Sequence, residues 1–180
     1  IAFENVKGGY EVRNPYYKGC IKGKDISVIR YNRDVIQRHV CVFEGFVDFL
    51  SYLMLHKKGD YHVCVDIPTD FLVMNSVSNL KKCLLELEQY IFIHCYLDND
   101  LAGQKTVETI AGLYGIKVID HSKNYYNYKD LNDYWQEKRN LATPQTPPHE
   151  RQRKETERAH LTVPQCVPSP AKKRGPSRKF

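Results

Sequence analysis

Between positions 39 and 120, short apolar runs alternate with segments in which apolar residues return every three or four positions. The run "HVCVFEG" precedes "FVDFLSYLMLHKKG", where Val47, Leu50 and Met54 fall at helical spacing before Gly59. "DFLVMNS" precedes "VSNLKKCLLELEQY", which places Leu80, Cys83, Leu84 and Leu87 on one helical face. "YIFIHCYLDND" leads into "LAGQKTVETIAGLYG", where Val107, Ile110, Ala111 and Tyr114 share a face and Gly115 is a stop signal. "IKVIDHS" supplies a last short strand. Strand and helix alternating at this interval predict an α/β, Rossmann-like fold: a mostly parallel four-stranded sheet with helices on both faces. "YHVCV", ahead of Pro68, is either an extra edge strand or part of a long loop.

The flanks follow other patterns. Residues 1–38 carry "GGYEVRNPYYKGC" and "KDISVIRYN", β-like runs punctuated by Gly8-Gly9, Asn14-Pro15 and Gly23, and are expected to form a small β-rich segment. Residues 39–138 hold the alternating unit, and 139–180 are expected to be a disordered, Pro-rich basic tail. Seven of the nine prolines lie in residues 142–180. Within the tail "RQRKETERAH" is compatible with an isolated helix, and "PAKKRGPSRKF" suits phosphate contact, a nuclear localisation signal or a solvated end.

Charge sharpens this division. Of 27 basic and 21 acidic residues, 9 and 3 lie beyond position 149, so the remainder carries 18 of each sign and the +6 excess belongs to the tail. The six cysteines form no CxxC pair and several sit in apolar runs, which predicts reduced core thiols and no zinc site in this chain. No apolar stretch reaches membrane-span length and no secretory signal is visible, so a cytoplasmic protein is expected. The chain opens on Ile1 within apparent structure and is taken as a piece of something longer.

Carboxylates collect where the predicted strands end, which is where an open parallel sheet binds ligands. Glu44 and Gly45 close the first strand with Asp48 one turn on, Asp98 and Asp100 close the third, and Asp130 and Asp133 follow the fourth in "YKDLNDYW". Any one aspartate at a strand-to-helix junction most often serves as a helix cap or Asx turn. Oxygen ligands from several loops, however, are what a hard cation such as Mg²⁺ requires. Gly103 is expected to let the following helix start close to the strand end, and Asn99 to shape the turn. His94 is expected in the core, and Trp135 as the anchor of the last helix.

The pair "VFEGFVD" and "YLDNDLAGQKT" resembles the Toprim domain shared by bacterial primases, topoisomerases and some nucleases. The wording is closest to DnaG-type primases, through Phe46, Asp48 and "AGQKT", and "GGYEVRNPYYKG" with "KDISVI" resembles primase-like Toprim proteins of bacterial mobile elements, which often carry an upstream zinc domain. The resemblance covers residues 1–137 and implies Glu44 as ligand or general acid/base, with Asp98, Asp100, Asp48 and Asp130 around Mg²⁺ or Mn²⁺. The family's further acidic pair is imperfect in "KDLND", where Asn132 stands in the second place and Asp133 is displaced by one. Arg13, Lys18, Lys22, Lys24, Gly103 and Lys105 are the candidates for nucleotide or nucleic-acid contact. Tyr16, Tyr17, Tyr125, Tyr126 and Tyr128 are candidates for base stacking, with packing the commoner fate of such residues.

The resemblance implies metal-dependent nucleotidyl transfer on single-stranded DNA in a bacterial mobile element, with nucleotides, and a helicase or mobilisation protein, as partners. The alternatives are a Toprim nuclease and a non-enzymatic DNA-binding accessory.

Overall fold

The computed structural model describes residues 1–142. The expectations for the tail, including "RQRKETERAH", "PAKKRGPSRKF" and Cys166, lie outside the described residues.

The chain begins with a three-stranded antiparallel meander, β1 (Ala2–Glu4), β2 (Tyr10–Asn14) and β3 (Tyr17–Ile21). Asn14 accepts the Tyr16 amide at 2.8 Å, an Asx turn that with Pro15 closes the β2–β3 hairpin. Register pairs Arg13 with Lys18 and Glu11 with Cys20, so these four side chains share one face. Phe3 pairs with Glu11 in register and stacks on Phe46 at 5.3 Å, so that same face looks toward the second sheet.

The second sheet contains β4 (Ser27–Ile29), β5 (His39–Phe43), β6 (Thr69–Val73), β7 (Phe92–Tyr96) and β8 (Val118–Asp120) in the order β4-β6-β5-β7-β8. The four strands expected from the alternating pattern are all present and parallel. "KDISVI" adds a fifth, β4, antiparallel against β6. "YHVCV" forms turns rather than a strand, with Val63 and Cys64 buried beneath them.

Helices α1 (Phe46–Lys57) and α4 (Leu131–Ala142) cover one face, and α2 (Leu80–Leu87) and α3 (Leu101–Tyr114) the other. Of the Val47, Leu50, Met54 set on α1, Val47 and Leu50 pack partly buried against the core and Met54 does not. Phe46, Phe49, Tyr52 and Leu55 are the buried stripe, and Met54 is 43% exposed. Aromatic side chains at spacing three supply more apolar area than the aliphatic set, and they interlock with Phe43, Phe71 and Tyr96. On α2 the expected face is correct, with Cys83 and Leu87 fully buried. Gly115 ends α3 at φ +57°, a left-handed conformation that favours glycine.

The sheet order sets the site. β5 and β7 are neighbours, with Phe43 opposite Tyr96, yet β5 runs into α1 on one face and β7 into α3 on the other. Chains leaving adjacent strand ends in opposite directions open a crevice at the carboxyl edge of the sheet.

Candidate functional site

The crevice is a polar pocket of about 390 Å³. Glu44, Asp48, Asp98 and Asp130 contribute carboxylates, and Arg13, Lys18, Lys24 and Lys129 contribute cations. Glu44 leaves the end of β5 one residue before α1 begins to turn, and Asp48 sits in the first turn of α1, where a helix N-terminus tolerates negative charge. A Cβ on Gly45 would sit 3.3 Å from Asp48 Oδ2, so the bare glycine leaves room between the two acids. Asp98 follows β7. Asp130 enters with the turn before α4, where its Oδ1 accepts the Asp133 amide at 2.8 Å and so caps the helix.

Burial and mutual repulsion act on these acids together. Glu44 is pushed up to about 7 by burial, then by Asp98 and Asp100, against the pull of Lys18 and Lys129. Burial followed by Asp130 and Asp98 raises Asp48 to about 7. Asp98 rises to about 6 through burial, Asp130 and Asp100. Glu44 Oε2 is buried without a hydrogen-bond partner. Repelling carboxylates, one with an orphaned buried oxygen, form a donor set that suits a hard divalent cation. Among the described residues no group of three or more His, Cys, Asp or Glu side chains is already drawn together as a metal cluster.

The other expected site residues lie at various removes. Asp100 is not in the pocket lining: its Oδ1 accepts the amides of Ala102 and Gly103, both at 2.9 Å, and caps α3. Its charge still reaches Glu44 and Asp98. Gly103 permits a close approach, since a Cβ there would lie 2.0 Å from the Asp98 carbonyl oxygen. Lys105 is exposed on α3, and Lys22 follows β3 in a left-handed conformation; neither lines the pocket. Asp133 is exposed, while Asn132 lines the pocket, donates its backbone N–H to Asp48 Oδ1 at 3.2 Å and accepts from Ser51 Oγ at 3.3 Å.

Asn99, expected only to shape the turn, does more. Its Nδ2 donates to the carbonyls of Ser122, Tyr125 and Tyr128, at 3.4, 3.1 and 2.9 Å, and its amide donates to Lys129 O at 2.7 Å. One side chain between two aspartates thus fixes the segment that delivers Lys129 and Asp130.

Lys129, Glu11 and Asn75 also line the pocket and were not singled out from the sequence. Lys129 was legible as the neighbour of Asp130 in "KDLND". Glu11 and Asn75 carry no motif signal, because only the packing of the meander against the end of β6 brings them in. Each leaves a buried oxygen unpartnered there, as Arg13 leaves its Nε.

A family model described as Toprim-like matches residues 41–135, just over half of the chain, and a model of a domain of unknown function matches residues 1–22. Among curated proteins no sequence matches. Among solved structures, the primase fragment of the bacteriophage T7 primase-helicase protein is similar at 21% identity with a TM-score of 0.51. The match covers 73% of this chain and 54% of that one, so the chain spans about half the length of the fragment it resembles. At that identity the likeness shows the fold.

Proposed function

This chain belongs to the Toprim-like family, and from that premise we propose that it performs primase-like nucleotidyl transfer on a single-stranded DNA template, with Mg²⁺ or Mn²⁺ as cofactor. The observation that carries this reading is the two-signed lining of one pocket: five carboxylates, those of Glu11, Glu44, Asp48, Asp98 and Asp130, share it with Arg13, Lys18, Lys24 and Lys129. A purely anionic lining would repel a triphosphate, and a purely cationic one would offer no cation ligands.

Asp98, Asp48 and Asp130 would hold the cation, with Asp100 adding charge from beside the pocket and Glu44 standing next to the cation. When bound, the cation supplies charge neutralisation at the reacting phosphate. Arg13, Lys18, Lys24 and Lys129 hold the phosphates of the incoming nucleotide. Glu44, beside that cation, takes the proton of the attacking 3′-hydroxyl as the new P–O bond forms and pyrophosphate leaves. Asn132 in place of a carboxylate, with its Oδ1 already accepting from Ser51, supports one cation rather than two. The setting proposed is replication or mobilisation of a bacterial mobile element in the cytoplasm, alongside a helicase or mobilisation protein.

The test is incubation with Mg²⁺ or Mn²⁺, single-stranded DNA and labelled nucleotides, beside Glu44→Gln and Asp98→Asn. New oligonucleotides lost in both variants are expected. Shortened DNA instead would assign a nuclease, and neither product with retained binding would assign an accessory protein.

A further inference from the structure

Five tyrosines lie near the site in sequence, and the structure divides them. Tyr125 is buried with its hydroxyl on Leu97 O, and Tyr128 is half-buried edge-on to Tyr134 at 5.3 Å; both are packing residues. Tyr16 is 97% exposed and Tyr126 73% exposed. Each stands close in the chain to a cation that lines the pocket: Tyr16 two residues before Lys18, and Tyr126 three before Lys129. Tyr16 occupies the tip of the β2–β3 hairpin, next to the Arg13–Lys18 pair on the inner face. Tyr126 follows the 3₁₀ turn Ser122–Tyr125, which Asn99 ties to the strand end.

Both tyrosines sit on braced turns. The Tyr16 amide is held by Asn14, and the segment around Tyr126 is held through the Tyr125 and Tyr128 carbonyls. An exposed aromatic ring on a fixed turn costs little entropy to order on a ligand and offers a face to any base. Pocket cations two and three residues along the chain from these rings, Lys18 and Lys129, match a polyanion that carries flat bases.

We propose that Tyr16 and Tyr126 are base-stacking residues at two mouths of the pocket, and that in the absence of nucleotide single-stranded DNA lies across them with its phosphates on Arg13, Lys18 and Lys129. The DNA identity of the strand rests on the function proposed above; the stacking geometry does not. Tyr17 is the internal control. It is 52% exposed, but its register partner is Asn14, which places it on the face of the hairpin turned away from the pocket, with its ring lying across Gly19.

The experiment is fluorescence anisotropy of a labelled oligo-dT on the full chain, without nucleotide, over a series of salt concentrations. Tyr16→Ala and Tyr126→Ala should each weaken binding by roughly 5-fold to 150-fold with the salt slope unchanged. Phenylalanine at either position should restore it, and leucine should not. Arg13→Ala and Lys18→Ala should each lower the salt slope by about 0.7. Tyr17→Ala should bind like the parent chain, and unchanged Tm values should show that exposed substitutions leave the fold intact. Equal affinity of the Tyr16 and Tyr126 variants and the parent would overturn the proposal, as would a larger loss at Tyr17, rescue by leucine, or preference for oligo-U RNA. Binding that depends on both tyrosines with no nucleotide incorporation would sink the synthetic function and leave the stacking track standing. Incorporation indifferent to both tyrosines would do the reverse.

Discussion

At the scale of single residues, the two aspartates and the asparagine between them exchange the importance their types suggest. Asp100 spends an oxygen on two helix amides, as any strand-to-helix aspartate does, whereas Asn99 reaches three backbone carbonyls 23 to 29 positions away. The Asp-x-Asp spacing was readable in the sequence because it is a short pattern at the end of an apolar strand, and the Asp100 cap acts within three residues. Asn99's partners were not, because they meet it only after β8 has docked. Asn99→Ala should destabilise the chain by about 1–3 kcal/mol in urea unfolding and loosen the segment carrying Lys129 and Asp130. Gly103→Ala presses a methyl against the Asp98 carbonyl and should cost about 1–3 kcal/mol by the same measurement. Loss of stability should also accompany reduced cation binding there, since the moved backbone carries Asp98.

At the scale of elements, helical spacing located α1 and, through Val47 and Leu50, the edge of its buried side, while the sheet's aromatic surface puts Phe46, Phe49, Tyr52 and Leu55 at the centre. β7 holds a second feature that no pattern predicted. His39, His94 and His121 form a chain across β5, β7 and the end of β8, with ring nitrogens 3.1 and 2.9 Å apart. Asn124 Nδ2 donates toward His121 Nδ1 at 3.4 Å, which leaves the proton on Nε2 of each ring in turn. Phe92 stacks on His39 and Tyr96 on His121, each at 4.6 Å. Burial, then His121 and His39, hold His94 down to about 4; burial and Arg38 lower His39, and burial lowers His121 against the pull of Asp120.

A depressed folded pKa contributes stability that is complete above the unfolded value near 6.5 and is lost as pH falls toward 4. The loss attributable to His94 has an upper limit of roughly 3 kcal/mol. Urea unfolding at pH 7.5 and at pH 4.5, compared between the parent chain and His94→Phe, measures it, because Glu44, Asp48 and Asp98 titrate over the same range in both. His94→Phe keeps a ring in the stack without a titrating nitrogen and should flatten the decline.

At the scale of the whole molecule, the pocket belongs to neither sheet alone. Glu44, Asp48, Asp98, Asp130 and Lys129 come from the parallel sheet and the segments that follow its strands, while Glu11, Arg13, Lys18 and Lys24 come from the meander and the segment behind it. Phe3 stacked on Phe46 joins the two. Mutual repulsion among Glu44, Asp48 and Asp98 is a standing cost that a cation bound as proposed would offset. Mg²⁺ or Mn²⁺ at about 100 times its Kd should therefore stabilise the chain by about 2.7 kcal/mol, read as a rise in Tm that chelation reverses. Asp98→Asn should be more stable than the parent without cation and show a smaller rise with it. No helix among the described residues is long and apolar enough to cross a membrane.

The amino-acid sequence by itself determined the alternating strands and helices, the parallel sheet they form, and the Glu-Gly and Asp-x-Asp motifs at the ends of two of its strands. Those are properties of local periodicity and short spacing, which a chain carries without folding. Tertiary structure alone decided which acids share the pocket, that Asp100 caps a helix beside it, that β4 joins the large sheet, and which tyrosines stand free. Each of those outcomes depends on groups far apart in sequence being brought within a few ångströms, and that distance is set by how the two sheets and four helices pack.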